Sequence, residues 1–110
     1  MTQQPASHLL LIPSYNTGAK LVETVRDARR YWQPVWVVID GSTDGSAQTL
    51  LVATAEDAQV RILVLSYNQG KGAAVLHGLR EAAAAGFSHV LTMDADGQHP
   101  AALVPDFMAM

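Results

Sequence analysis

Two aspartates one residue apart, Asp94 and Asp96, end the apolar run in Leu91-Thr92-Met93-Asp94-Ala95-Asp96-Gly97-Gln98-His99-Pro100. Carboxylates at i and i+2 of an extended chain point to one side. Gly97 directly after them frees the backbone to turn both oxygens toward a single ion. Hard divalent cations such as Mg2+ or Mn2+ take oxygen ligands and often hold substrate phosphates as well. The stretch therefore suits a metal and diphosphate site at the C-terminal end of a strand. It suits a solvated Asp-x-Asp-Gly turn equally well, since Asp and Gly are ordinary turn residues.

Other polar clusters offer chemistry of the same kind. Asp40 seals the five-residue apolar run Val35-Trp36-Val37-Val38-Ile39 and opens Asp40-Gly41-Ser42-Thr43-Asp44-Gly45. An acid there can accept hydrogen bonds from a base N–H or a ribose hydroxyl, while Ser42, Thr43 or Asp44 would cap a following helix whatever its function. Lys71, between Gly70 and Gly72 at a helix start, combines backbone N–H groups with a positive charge, as a phosphate cradle does. A solvated lysine in a turn fits as well, and the Walker spacing is not present. Tyr15, in Pro13-Ser14-Tyr15-Asn16, is placed either to pack on a base or to sit at the core edge with its hydroxyl in water. His99 is a lone histidine before proline, and no Ser-His-Asp arrangement can be placed.

These groups need elements that bring them together. Residues 1–8 read as a loose polar lead-in. Leu9-Leu10-Leu11-Ile12 reads as a strand ended by Pro13, and Ala19 to Trp32 has helical spacing with Leu21, Val22, Val25, Ala28 and Trp32 on one side. Val35 to Ile39 is a second strand. Ala47 to Ala55 is a helix with Leu50 and Leu51 inward, and Val60 to Leu65 a third strand. Ala73 to Ala85 is a helix with a buried stripe of Val75, Leu76, Leu79 and Ala83, capped by Gly86. His89 to Met93 is the fourth strand, and Pro100 opens a last short helix containing Leu103, Val104 and Phe107. Continuous apolar strands alternating with helices predict a parallel sheet covered on both faces, a Rossmann-like three-layer α/β/α arrangement. Right-handed crossovers put all strand ends on one edge, where open α/β sheets bind ligands. Every polar cluster above follows a strand, so one edge collects them all.

Bulk properties narrow the class. The 110 residues suffice for one domain, and 49% hydrophobic content supplies a core. A net charge of −3 without a basic block argues against a nucleic-acid groove. With no cysteine, disulfides, thiolate metal sites and thiol catalysis are excluded. No apolar run approaches a membrane span, and no signal-like segment leads the chain, so a cytoplasmic protein is expected.

Taken together, Ile12-Pro13-Ser14-Tyr15-Asn16, Val37-Val38-Ile39-Asp40-Gly41-Ser42-Thr43-Asp44-Gly45, Asn68-Gln69-Gly70-Lys71-Gly72-Ala73-Ala74 and Met93-Asp94-Ala95-Asp96-Gly97-Gln98-His99-Pro100 resemble the N-terminal half of a family 2 glycosyltransferase. The polyprenyl-phosphate, dolichol-phosphate mannosyltransferase-like branch is the most similar. The resemblance covers residues 9–110 and rests on four motifs in order. It implies a GT-A fold with strand order 3-2-1-4, a UDP- or GDP-sugar donor, a divalent Mg2+ or Mn2+ ion and inversion at the anomeric carbon. Carried over residue by residue, Pro13, Ser14, Tyr15 and Asp40 line the nucleoside pocket and Lys71 lies near the nucleotide. Asp94 faces the ribose or metal, Asp96 binds the metal bridging the diphosphate, and Gln98 joins that shell.

The resemblance also implies a polyprenyl phosphate or growing glycan as acceptor, at the inner face of a membrane. Two departures stand out. Ile39 replaces the first of two acids that many relatives carry before Gly-Ser-Thr-Asp. The chain also ends at Met110, where relatives continue into the part that supplies the general base, a contribution of typically ~10²–10⁴-fold. A truncated GT-A fold that binds donor with little or no transfer is the expectation, and its fourth strand, cut short of further sheet, should promote self-association. A catalytically silent nucleotide- or metal-binding module is the alternative. A flavodoxin-like or receiver-type domain would place acids at strand ends, but not in these motifs.

Overall fold

A computed structural model describes residues 7–95 and 101–109. Its elements run β1 (His8–Ser14), α1 (Lys20–Tyr31), β2 (Val35–Asp40), α2 (Ser46–Ala53), β3 (Val60–Leu65), α3 (Lys71–Ala84) and β4 (His89–Thr92), then a 3-10 turn (Ala101–Leu103) and α4 (Val104–Met108). The strands form one sheet in the order β3-β2-β1-β4, and all three pairings are parallel. This is the three-layer α/β arrangement and the strand order expected from the sequence.

The two central strands, β1 and β2, are almost wholly buried, which is why they read as unbroken apolar runs. Alternate residues face opposite layers. Leu10, Ile12, Val35, Val37 and Ile39 pack with Leu21, Val25 and Ala28 of α1, Leu50 of α2, and Val104 and Met108 of α4. Leu9, Leu11, Trp36 and Val38 pack against Ala74 and Ala82 of α3. Each fully buried Leu, Ile or Val contributes about 1.5–3 kcal/mol.

Several expectations need correction. His8 is not lead-in: it begins β1, and its ring stacks on that of its register partner His89 at 4.3 Å. Nor does β1 stop at Pro13. The pairing with β4 ends at Leu11↔Thr92, so Pro13 needs to satisfy only the β2 side, where it aligns with Val38. On α2, Leu50 is fully buried but Leu51 is exposed. Neighbouring helical residues lie about 100° apart, so only one of the two can face the sheet.

On α3 the buried stripe is Ala74, Gly78 and Ala82, while Leu76, Leu79 and Ala83 are exposed and Val75 is half-buried. Small residues at i, i+4 and i+8 let the helix backbone settle directly on β1 and β2. A Cβ added at Gly78 would lie 2.7 and 2.8 Å from the Leu11 methyl carbons and 3.1 Å from Val38. The sheet has no room there for the larger residues. The expected cap at Gly86 is present. Gly86 has φ +96° and donates its N–H to Ala83, while the Phe87 N–H reaches Ala82, a Schellman ending. In α4, Pro105 occupies the first turn and Val104 and Met108 are buried, leaving Leu103 and Phe107 exposed. Pro100 lies outside the described residues. No helix among the described residues is long and apolar enough to cross a membrane.

Candidate functional site

The C-terminal ends of the four strands share one rim; loops built from the polar clusters of the sequence follow β1, β2 and β3, and β4 leads into Met93, Asp94 and Ala95. The loops after β1 and β2 are stitched together. Asn16 adopts φ 48°, a left-handed conformation that Asn tolerates better than most residues. From it the backbone N–H donates to Ser42 Oγ at 2.9 Å, and Asn16 Oδ1 accepts the Thr43 N–H at 2.7 Å. Asp44 completes the seam, accepting the Gly18 N–H at 3.0 Å through Oδ2 while Oδ1 takes the Ser46 hydroxyl and N–H. The Ser46 hydroxyl first, then the Ser46 and Gly18 amides, hold the Asp44 carboxyl below the usual aspartate range. Ser14, buried at the end of β1, shares a 2.8 Å hydrogen bond with Thr17.

Asp40, at the end of β2, is 2% exposed and fully engaged. Its Oδ1 accepts the Gln69 N–H at 2.8 Å, and Oδ2 accepts the Gly70 N–H at 2.9 Å and Asn68 Nδ2 at 3.1 Å. The carboxylate thus anchors the loop that leads into α3. Gly41, with φ +67°, lets that loop come close, because a Cβ there would overlap the Asn68 amide nitrogen and the Tyr67 carbonyl carbon.

Lys71 is the first residue of α3, placed directly after the anchored loop, and its Nζ reaches Asp94 Oδ1 at 2.7 Å. Asp94 is positioned from both sides. The Met93 N–H donates to Leu11 O, and the buried Thr24 hydroxyl of α1 donates to Ala95 O at 3.0 Å.

Pro13, Ser14, Tyr15, Asp40, Lys71 and Asp94 all line one open cleft of about 580 Å³. Of the candidate residues chosen from the sequence, Asp96 and Gln98 lie outside the described residues. The cleft wall adds two residues that sequence reasoning missed, Thr17 and Lys20. Lys20 opens α1, and a lysine one position past a Gly-Ala pair carries no motif that would have singled it out. Among the described residues no group of three or more His, Asp or Glu could hold a metal ion. The donor chemistry nevertheless fits a hard cation: Asp94 lines the cleft, and its carboxylate already holds a cation, the Lys71 ammonium.

Comparison with known proteins bears on the family and the fold. The family model for glycosyl transferase family 2 matches residues 10–110. An undecaprenyl-phosphate 4-deoxy-4-formamido-L-arabinose transferase of Salmonella choleraesuis (strain SC-B67) is 32% identical over 113 residues, covering 91% of this chain and 32% of that protein. A dolichol-phosphate mannosyltransferase of Mycosarcoma maydis is 39% identical over 72 residues, covering 66% of this chain and 24% of that protein. Among solved structures, the mannosyltransferase PcManGT from Pyrobaculum calidifontis, in complex with GDP-Man and Mn2+, superposes with a TM-score of 0.69 at 23% identity, over 88% of this chain and 29% of that one. At that identity the likeness is one of fold. The chain spans about a third or less of the length of these relatives.

Proposed function

The chain belongs to glycosyl transferase family 2, and from that premise we propose that its rim cleft is the donor-binding region of an inverting transferase. The donor is a nucleoside-diphosphate sugar held with a divalent cation. The acceptor is a polyprenyl phosphate or a growing glycan, met at the inner face of a membrane. One observation carries the reading: Lys71 and Asp94 face each other at 2.7 Å in the same cleft as Pro13, Ser14 and Tyr15. A group that pairs with phosphate, a group that pairs with a cation and a wall for a nucleoside thus occur together at the end of a parallel sheet, where such folds bind ligands.

The residues divide the work. Pro13, Ser14 and the half-exposed Tyr15 ring offer the nucleoside a wall and a hydrogen-bonding rim. Asp40 keeps the Asn68–Gly70 loop in place and is itself one of the residues lining the cleft. Lys71 brings a positive charge to the diphosphate from the start of α3. Asp94, with Asp96 and Gln98 after it, would hold Mg2+ or Mn2+. When bound, such an ion stabilises the negative charge that grows on the departing nucleoside diphosphate. None of these residues is assigned the role of the base that deprotonates the acceptor.

GDP-mannose with Mn2+ is the first pair to test, since PcManGT is in complex with both. Titration calorimetry with GDP-mannose and with UDP-sugars should show heats that need Mn2+ and vanish in Asp94→Asn. Absence of binding by any nucleotide, with or without the ion, would instead favour a silent module acting through partners.

A further inference from the structure

Lys71 and Asp94 are held differently. Asp94 sits on a segment fastened at Met93 and at Ala95, and its side chain is 30% exposed. Lys71 has a fixed backbone, because Asp40 clamps the loop before it, yet its side chain is 67% exposed and swings on four carbons. Ion pairs this exposed are worth less than about a fivefold shift in an equilibrium constant, so a stronger cation can replace the ammonium.

The geometry points to an exchange, resting on the donor-site reading above: Lys71 neutralises Asp94 while no divalent ion is bound, releases it when the ion binds, and turns its ammonium to the diphosphate. Charge supports this order. Among the described residues of the cleft wall, two acids, Asp40 and Asp94, are matched by two lysines, Lys20 and Lys71. A divalent cation entering alone must displace Lys71 and leave an extra positive charge beside itself. The same cation entering with a diphosphate gives the released ammonium a partner. Lys71 thereby couples the two ligands: it opposes the ion alone and favours the nucleotide once the ion is present. By linkage each ligand then raises the other's affinity by the same factor.

Mn2+ titration followed by electron paramagnetic resonance, on the wild-type chain and on Lys71→Met and Lys71→Arg, tests this without any turnover. Lys71→Met should bind Mn2+ alone roughly two- to fivefold more tightly than wild type, since the competing charge is gone. In saturating Mn2+ it should bind GDP or UDP more weakly by a similar factor. Lys71→Arg, which keeps the charge, should stay near wild type in both. Thermal melting should show all three folded, as the side chain is mostly in solvent. Unchanged Mn2+ affinity in Lys71→Met, or unchanged nucleotide affinity, overturns the exchange while leaving the cation site intact. Failure of every variant to bind Mn2+ overturns the exchange and the cation site together.

Discussion

At the scale of single residues, Asp40 and Gly41 act on the same contact from opposite sides. The Asp40 carboxylate is buried among three N–H donors, two of them backbone amides of the loop that leads into α3. Asp40→Asn keeps the shape but turns an NH2 toward one of those amides. Hydrogen bonds to charged groups are worth about 1.5–3 kcal/mol, so urea unfolding should show a loss of about 2–3 kcal/mol. A loss below about 0.5 kcal/mol would mean the loop is held by something else. Gly41→Ala should be at least as costly, because both its positive φ and its contact with the Tyr67–Asn68 backbone exclude a Cβ. Other carboxylates set the acid limit. Asp57 is held below the usual aspartate range by the Arg29 guanidinium, at 2.8 Å, aided by the Gln59 N–H, and Asp44 by the Ser46 hydroxyl and amides. A depressed folded pKa means the unfolded chain binds protons first. The stability from these groups is therefore full above their unfolded value of about 3.9 and is lost as pH falls through the lower folded value. Urea midpoints should be flat from neutral pH to about pH 5 on this account and drop below about pH 4, and the drop should be shallower in Asp57→Asn.

For whole elements, α3 offers the sharpest test, because its sequence suggests one buried face and its packing uses another. If Ala74, Gly78 and Ala82 set the distance to the sheet, Gly78→Leu must push α3 away from Leu11 and Val38. It should cost about 3 kcal/mol or more, at the upper end of overpacking penalties, whereas Leu79→Lys on the exposed side should stay within about 1 kcal/mol. Thermal or chemical melts of the two variants decide between the faces. The same helix shows what a sequence conceals. Element types, their order and the shared rim were legible because central strands such as Leu9 to Ile12 and Val35 to Ile39 are apolar throughout, and their connections carry glycine and aspartate. The buried face of α3 was not, since periodicity favours large apolar residues and gives no weight to alanine and glycine, which pack by being small. The residues of the candidate cleft were legible to a similar depth. Asp40, Lys71 and Asp94 stood out as charged residues beside glycines or at strand ends. The contact between Lys71 and Asp94, and the Asn68–Gly70 loop anchored on Asp40, depend on through-space distances that no spacing rule supplies.

Considered as a whole, the molecule has two outer strands with unequal protection. On β3, Arg61 lies over the Trp36 ring at 4.6 Å and reaches Glu81 at 3.7 Å, so a charged pair guards that side of the sheet. On β4, the hydrogen bonds run to β1, and among the described residues no strand pairs with its other edge. Its middle residues, Val90 and Leu91, are only half-buried, and its exposed positions are His89 and Thr92, with no Lys, Arg, Asp or Glu along the strand. An edge unpaired among the described residues and without Lys or acidic side chains is a template for another strand. We therefore expect the chain to self-associate through β4 and not through β3, with mass by light scattering rising across a concentration series. Thr92→Lys places a charge on the open edge and should return the protein to a monomer at every concentration. Val64→Lys, on the equally outer β3, should leave association unchanged, although Val64 is 57% exposed and the substitution removes more apolar surface. If Val64→Lys and Thr92→Lys dissociate the protein alike, the association is general hydrophobic adhesion and not strand pairing. A wild-type chain that stays monomeric throughout would show that the β4 edge is closed by some other means.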